Sequence, residues 1–155
     1  APKHVKQLIE ENHLRWDSLG EFLALSASIE DLGIKQDSPK AKILAKTLDQ
    51  ATADLLDNGK SPSRKTGELD NRGSHFYLAL YWAKALAEQT EDTELQAQFS
   101  PLSQSLLENE ESIVNDLTTD QWHSVDIGGY YNADIDKVNE IMRPSKRFND
   151  ILAAF

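Results

Sequence analysis

Apolar positions recur at intervals of three and four through most of the chain, and that spacing predicts helices nearly throughout. The densest stretch runs from Phe76 to Ala87, where almost every position is apolar or aromatic. Alanine and leucine dominate it, which favours helix over strand. Tyr77, Tyr81, Lys84 and Glu88 interrupt it as one stripe at i, i+4, i+7, i+11. A helix apolar almost all round has to be buried. Residues 74–88 are therefore expected as a central helix, with Ser74 or Asn71 as its N-cap.

The rest of the chain supplies helices to pack on it. Pro2 suits a first turn, and Val5, Leu8 and Ile9 extend that helix to about Asn12. Ser18 and Glu21 have capping-box spacing for a second helix, with Phe22, Leu25, Ile29 and Leu32 inward and Gly33 just past its end. Ser38-Pro39 opens a third, with Leu44, Leu48, Ala51 and Leu55 on the core face and Gly59 as its stop. After the central helix, Thr90 to Gln98 reads as a loop and a short helix. Ser100-Pro101 then starts a long one carrying Leu102, Leu106, Ile113 and Leu117. Residues 118–131 are irregular. Their glycine pair, Gly128-Gly129, lacks both the third glycine and the strand–turn–helix setting of a dinucleotide fingerprint, so a tight packing turn is expected. Asp134 caps a helix with Ile135, Val138 and Ile141, and Pro144-Ser145 breaks to a last one using Phe148, Ile151 and Leu152. No βαβ alternation or internal repeat is visible. The fold class read from this pattern is mainly α: a single helical domain over residues 1–155, with six to seven helices around the central one.

Composition narrows the partners. A chain of 155 residues with 39% apolar and 27% charged positions suits one soluble domain with a real core. Its net charge of −10 argues against nucleic acid or an anionic membrane as the main partner. Between Lys84 and Lys137 there is no lysine or arginine, only His123 and a dozen carboxylates, read as a solvated acidic face. Without cysteine there are no disulfides, thiolate metal sites or thiol nucleophiles, which fits an intracellular setting. No apolar run approaches the ~20 residues of a membrane span. The chain opens Ala-Pro-Lys-His, without methionine, as a processed start or a piece of something longer would.

Catalytic chemistry is hard to find. His4, His13, His75 and His123 are scattered without metal-ligand spacing, and no nucleophile elbow or phosphate-loop motif occurs. Asp17, Asp70 and Asp126 read as caps and turns, and His75 as a partly buried polar anchor. Cations are more telling. Lys3 and His4 open the first helix beside its free amide hydrogens, where an anion pocket would want them. Lys60, Arg64, Lys65 and Arg72 lie in or beside a turn-rich loop before the central helix. The residues alone give a helical domain with a basic edge suited to phosphate.

Longer stretches go further. Ala1-Pro2-Lys3-His4-Val5, Leu14-Arg15-Trp16-Asp17-Ser18-Leu19-Gly20-Glu21-Phe22, Gly67 through Glu88, Val125-Asp126-Ile127-Gly128-Gly129-Tyr130-Tyr131 and Met142-Arg143-Pro144-Ser145 together resemble the monomeric NADP-dependent isocitrate dehydrogenases of bacteria. The resemblance implies the C-terminal portion of a much longer α/β enzyme, starting inside a nucleotide-binding loop. It implies oxidation of isocitrate to 2-oxoglutarate and CO2 in the tricarboxylic acid cycle, with NADP as cofactor and Mg2+ or Mn2+ held by residues outside this chain. The intact enzyme is expected to be monomeric and cytoplasmic. No catalytic or metal residue is assigned here, and the isolated piece is expected to be inactive, with apolar faces that favour self-association.

By the same resemblance Lys3, His4, Arg15 and Arg64 surround the 2′-phosphate of NADP, and Asp17 lies near the adenosine. A 2′-phosphate is close to a dianion with three acceptor oxygens, which guanidinium forks suit. An NAD site would place an acidic residue on the ribose diol instead. Arg72 also matches the family text but reads as a turn arginine holding carbonyls. Two other classes stay open. One is a free-standing acidic helical interaction module without nucleotide binding. The other is a fragment that kept the fold and lost the cofactor, against which the presence of all four cationic residues speaks.

Overall fold

The structure, a computed structural model, describes residues 2–155; Ala1, the first residue of the Ala-Pro-Lys-His stretch, lies outside the described residues. Among those described are eight helices and no strand: α1 (Pro2–Glu11), α2 (Leu19–Lys35), α3 (Pro39–Asp57), α4 (Asn71–Glu88), α5 (Thr93–Glu108), α6 (Glu110–Thr118), α7 (Ile135–Met142) and α8 (Lys146–Ala154). The all-helical expectation holds, and the seven described helices besides α4 match its upper count. Contacts cluster into two compact units, one of residues 1–17, 61–75 and 109–155, the other of residues 18–60 and 76–108.

The second unit is built on apolar packing. Leu48, Ala51 and Leu55 of α3 are wholly enclosed, as are Phe76 and Leu86 of α4. Ser38 caps α3 by accepting from the Ala41 N–H, with Pro39 in the first turn as expected. At the far end Lys60 N–H donates to Leu55 O at 2.9 Å and Gly59 N–H to Leu56 O at 3.1 Å, the paired bonds of a Schellman stop.

Helix α2 departs from its expected face. Phe22, Ser26 and Gly33 are buried, whereas Leu25 and Leu32 are 45% and 51% exposed. Small residues explain the change. A Cβ on Gly33 would stand 2.9 Å from Lys42 Cγ and 3.0 Å from Lys42 N, so α3 approaches where no side chain intervenes. The Ser26 hydroxyl donates to Ala45 O and Asp49 Oδ1 across the same contact. Close approach along the small residues turns the leucines to the flanks. Gly33 accordingly lies inside α2, and the left-handed residue after the helix is Asp37, at φ 46°. The serine half of the expected capping box is not formed. Ser18 has φ −88° and ψ 17° instead of the extended geometry that aims a hydroxyl at first-turn amides, and it makes no side-chain cap hydrogen bond.

Helix α4 starts at Asn71, so neither Asn71 nor Ser74 is its cap. Asp70 takes that role, with Oδ1 accepting from Arg72 N–H at 3.0 Å and its carbonyl from Ser74 N–H at 2.9 Å. The polar stripe climbs from a buried Tyr77 to exposed Lys84 and Glu88. Helix α5 runs straight through Pro101. Proline removes one helical hydrogen bond, but Leu95 before it and Leu106 after it are both buried, and that burial keeps the helix continuous. The break falls instead at Asn109.

The first unit keeps its turns as expected. Gly128 has φ +86°, and a Cβ there would lie 2.6 Å from Asp134 Cβ, so the 125–131 stretch is a tight packing turn. Asp134 caps α7 by accepting from the Asp136 and Lys137 amides, and Ser145 caps α8 by accepting from Phe148 N–H. Val138 and Ile141 are half-buried on α7, while Ile135 is exposed. The irregular segment after α6 runs along the end of α1, donating Trp122 N–H to Glu11 O and Val125 N–H to Ile9 O.

Candidate functional site

Within the first unit, His4, Arg15, Trp16, Asp17, Pro62 and Arg64 line a cleft of about 490 Å³. Three separate stretches supply them: the first turn of α1, the connector before α2, and the loop before α4. The His4 ring meets the Trp16 indole edge-on, with centroids 5.4 Å apart. Burial, together with the neighbouring Arg15 guanidinium, holds the His4 ring below its usual pKa, toward the neutral form. His4 Nδ1 and Arg15 Nε are buried and meet no hydrogen-bond partner among the described residues. Buried polar atoms are ordinarily paired, and an unpaired one costs ~1–3 kcal/mol. The cleft thus presents unmet nitrogen groups and the exposed Arg64 to whatever enters it. Among the described residues neither Arg15 nor Arg64 has a carboxylate within ion-pair distance. Such a cleft suits an anion with several acceptor oxygens.

Four of the five residues expected at a cofactor site therefore share one cleft: His4, Arg15, Asp17 and Arg64. Lys3 stands exposed on α1, outside that lining. The basic loop, by contrast, is not one patch. Lys60 stacks its ammonium over the Tyr77 ring, 4.5 Å from the centroid, and Lys65 is exposed. Arg72 is buried and structural. Its Nε and Nη2 donate to Asp70 Oδ2, Nη2 also to Asn12 O, and Nη1 to Asn12 Oδ1 and Ile141 O. Asp70 Oδ2 accepts Leu14 N–H as well, so the pair fixes the connector that carries Arg15. His75 corrects the sequence reading. It is exposed where partial burial was expected, but it keeps a polar anchor, with Nδ1 2.8 Å from the Asn71 carbonyl one helical turn back.

The sequence reading did not single out Trp16, Pro62, His13 or Gln121. Trp16 lies between Arg15 and Asp17, and Pro62 two residues before Arg64, and that closeness in sequence was the available signal. His13 is fully buried, with Nδ1 2.7 Å from Gln121 Oε1 and Nε2 2.8 Å from Ser63 O. Its partners lie 108 and 50 residues away, and no local pattern announces them. No group of three or more His, Asp or Glu among the described residues is placed to hold a metal ion, and no described helix is long and apolar enough to cross a membrane.

An all-helical segment with a cation-lined cleft is a general class. Comparison with known proteins makes it particular. The family model for monomeric isocitrate dehydrogenase matches residues 1–153, and the chain belongs to that family. It is 64% identical over 154 residues to isocitrate dehydrogenase (NADP) 2 of Mycobacterium tuberculosis (strain ATCC 25618 / H37Rv). It is 61% identical over 153 residues to isocitrate dehydrogenase (NADP) of Azotobacter vinelandii, and 63% over 154 to isocitrate dehydrogenase (NADP) 2 of Psychrobacter sp. (strain 13A). Each match covers 99% of this chain and 21% of the relative, so the chain spans about a fifth of the length of these relatives.

Proposed function

We propose that this chain is the C-terminal segment of a longer NADP-dependent isocitrate dehydrogenase, and that its cleft holds the 2′-phosphate of NADP. The observation that carries the reading is the pair of buried, unpartnered nitrogens, His4 Nδ1 and Arg15 Nε, in a cleft that Arg64 also lines. Arg15 and Arg64 would donate to the phosphate oxygens as guanidinium forks. His4 would donate from its ring, the dianion offsetting the burial and the Arg15 charge that now disfavour its protonation. Lys3 would add positive potential from the start of α1. Asp17, a carboxylate, would sit toward the ribose and adenine side instead of against the phosphate.

NADP, when bound, supplies the acceptor for the hydride that leaves isocitrate as it becomes 2-oxoglutarate and CO2. This chain's part is to select the phosphorylated cofactor and fix its adenosine end. The Mg2+ or Mn2+ ion and the residues that act on isocitrate would come from the rest of the enzyme, working as a monomer in the cytoplasm. Each charge-assisted hydrogen bond is worth ~1.5–3 kcal/mol. Replacing Arg15 and Arg64 together by neutral residues in the intact enzyme should raise the NADP KM ~10²–10⁴-fold and change use of NAD far less. Equal loss with both cofactors would show that these residues do not read the 2′-phosphate.

A further inference from the structure

His13 reaches both stretches of chain that carry the guanidinium groups of the cleft. It stands two residues before Arg15, and its Nε2 lies 2.8 Å from the carbonyl of Ser63, the residue before Arg64. Its Nδ1 lies 2.7 Å from Gln121 Oε1. Two other bonds fix which way the Gln121 amide points. Its Nε2 donates to Glu68 O at 3.1 Å, and its Oε1 accepts Gly67 N–H at 2.6 Å. Reversing the amide would set an NH2 group against an N–H and an oxygen against a carbonyl.

Both partners of His13 are therefore acceptors. A neutral imidazole donates from one nitrogen and presents a lone pair at the other, so a neutral ring would face one of these oxygens lone pair to lone pair. Both contacts are hydrogen bonds only when both ring nitrogens carry hydrogen. The surrounding charges suit such a ring. Glu11, two residues before it, is held below the usual carboxylate range, first by the Thr66 hydroxyl and then by the Gln7 amide, and stands there as an anion. The other charged groups bonded to residues 12–14 are Asp70 and Arg72, which pair with each other.

We propose that His13, donating from both ring nitrogens, is a positioning residue that fixes the Arg64 loop against the connector carrying Arg15. The proposal rests on the 2′-phosphate reading of the cleft. Other ties join the same stretches, from Leu14 N–H to Asp70 and from the Asn71 amide to Trp16 O, but they grip the loop at residues 70–71. Gln7 reaches Arg64 O from α1 at 3.2 Å. The His13 tie takes hold one residue from Arg64, on a side chain with no exposed surface. Gln121 completes it by holding His13 on one side and the Gly67 and Glu68 backbone on the other.

The test uses the intact enzyme with His13→Gln and Gln121→Met, and Arg64→Ala as reference. A glutamine at position 13 can meet one of the two acceptors but not both. The NADP KM should rise about tenfold, equivalent to ~1.4 kcal/mol, while kcat and the isocitrate KM stay within about twofold. If Arg64→Ala raises the NADP KM and neither of the other variants does, the positioning role fails and the phosphate reading stands. If Arg64→Ala leaves it unchanged, the phosphate reading fails and takes this proposal with it. A fall in kcat at constant NADP KM marks a merely structural histidine and overturns the proposal. Should the variants not fold, nitrogen-15 NMR of the unaltered protein decides. Two ring nitrogens each bonded to hydrogen are expected at His13, and a ring with hydrogen on one nitrogen overturns the assignment.

Discussion

In the unit of residues 18–60 and 76–108, the wholly enclosed side chains include Leu48, Leu55, Phe76, Leu86 and Leu106. In the unit of residues 1–17, 61–75 and 109–155, Ile113 shares that status with His13, Asp70, Ser74 and Ser145. An apolar core is held by area and fit, and it tolerates exchange among residues of similar volume. A core keyed by polar groups is directional, and removing one partner strands the other without water. The candidate cleft lies in the second kind of core. His13 and the Asp70–Arg72 pair hold the backbone that carries Arg15 and Arg64, so geometry there is set by bonds with defined lengths.

The largest effect that could break this contrast is at Arg72. Arg72→Met leaves Asp70 buried without its counter-charge and strips two acceptors on Asn12 and one on Ile141. A loss of ~3–5 kcal/mol is expected by urea denaturation. In the other unit, Leu55→Ala should cost somewhat less, about 3 kcal/mol for lost transfer energy plus cavity. Were Leu55→Ala the more damaging of the two, the polar keys would not be what distinguishes the units. The smallest effect is a gain. Asp37 holds a left-handed conformation at φ 46° on the solvent side of a turn, so Asp37→Gly should raise stability by up to ~1 kcal/mol in a thermal melt. Its ion pair with Lys42, at 3.8 Å, is exposed and offers little in opposition.

The sequence was legible where local chemistry decides. Ser38-Pro39, Gly59, Asp134 and Ser145 all punctuate helices as their side chains and backbones dictate, and Arg72 holds carbonyls as a turn arginine should. It misled where tertiary contact decides. Leu25 and Leu32 look like a core stripe until Gly33 and Ser26 bring α3 close, and Pro101 looks like a helix start until burial on both sides carries α5 through it. Within the cleft, His4, Arg15, Asp17 and Arg64 were named in advance through the resemblance of long stretches, because composition and spacing gave only a basic edge. His13 stayed hidden because both of its partners are distant in sequence and one is a backbone carbonyl.

The division of the first unit into three separate stretches of chain has a consequence for timing. Synthesis proceeds from the N-terminus, and α2 and α3 can pair as soon as they exist, since the turn between them is short. Asp70 and Arg72 can likewise meet early, two residues apart. Arg72, however, has no Ile141 carbonyl to bond, and Asp116 no Ser145 hydroxyl, until those last residues have been made. The polar core therefore closes late, after long loops have been drawn together against their entropy. The cleft gains its final shape at the end of that sequence of events.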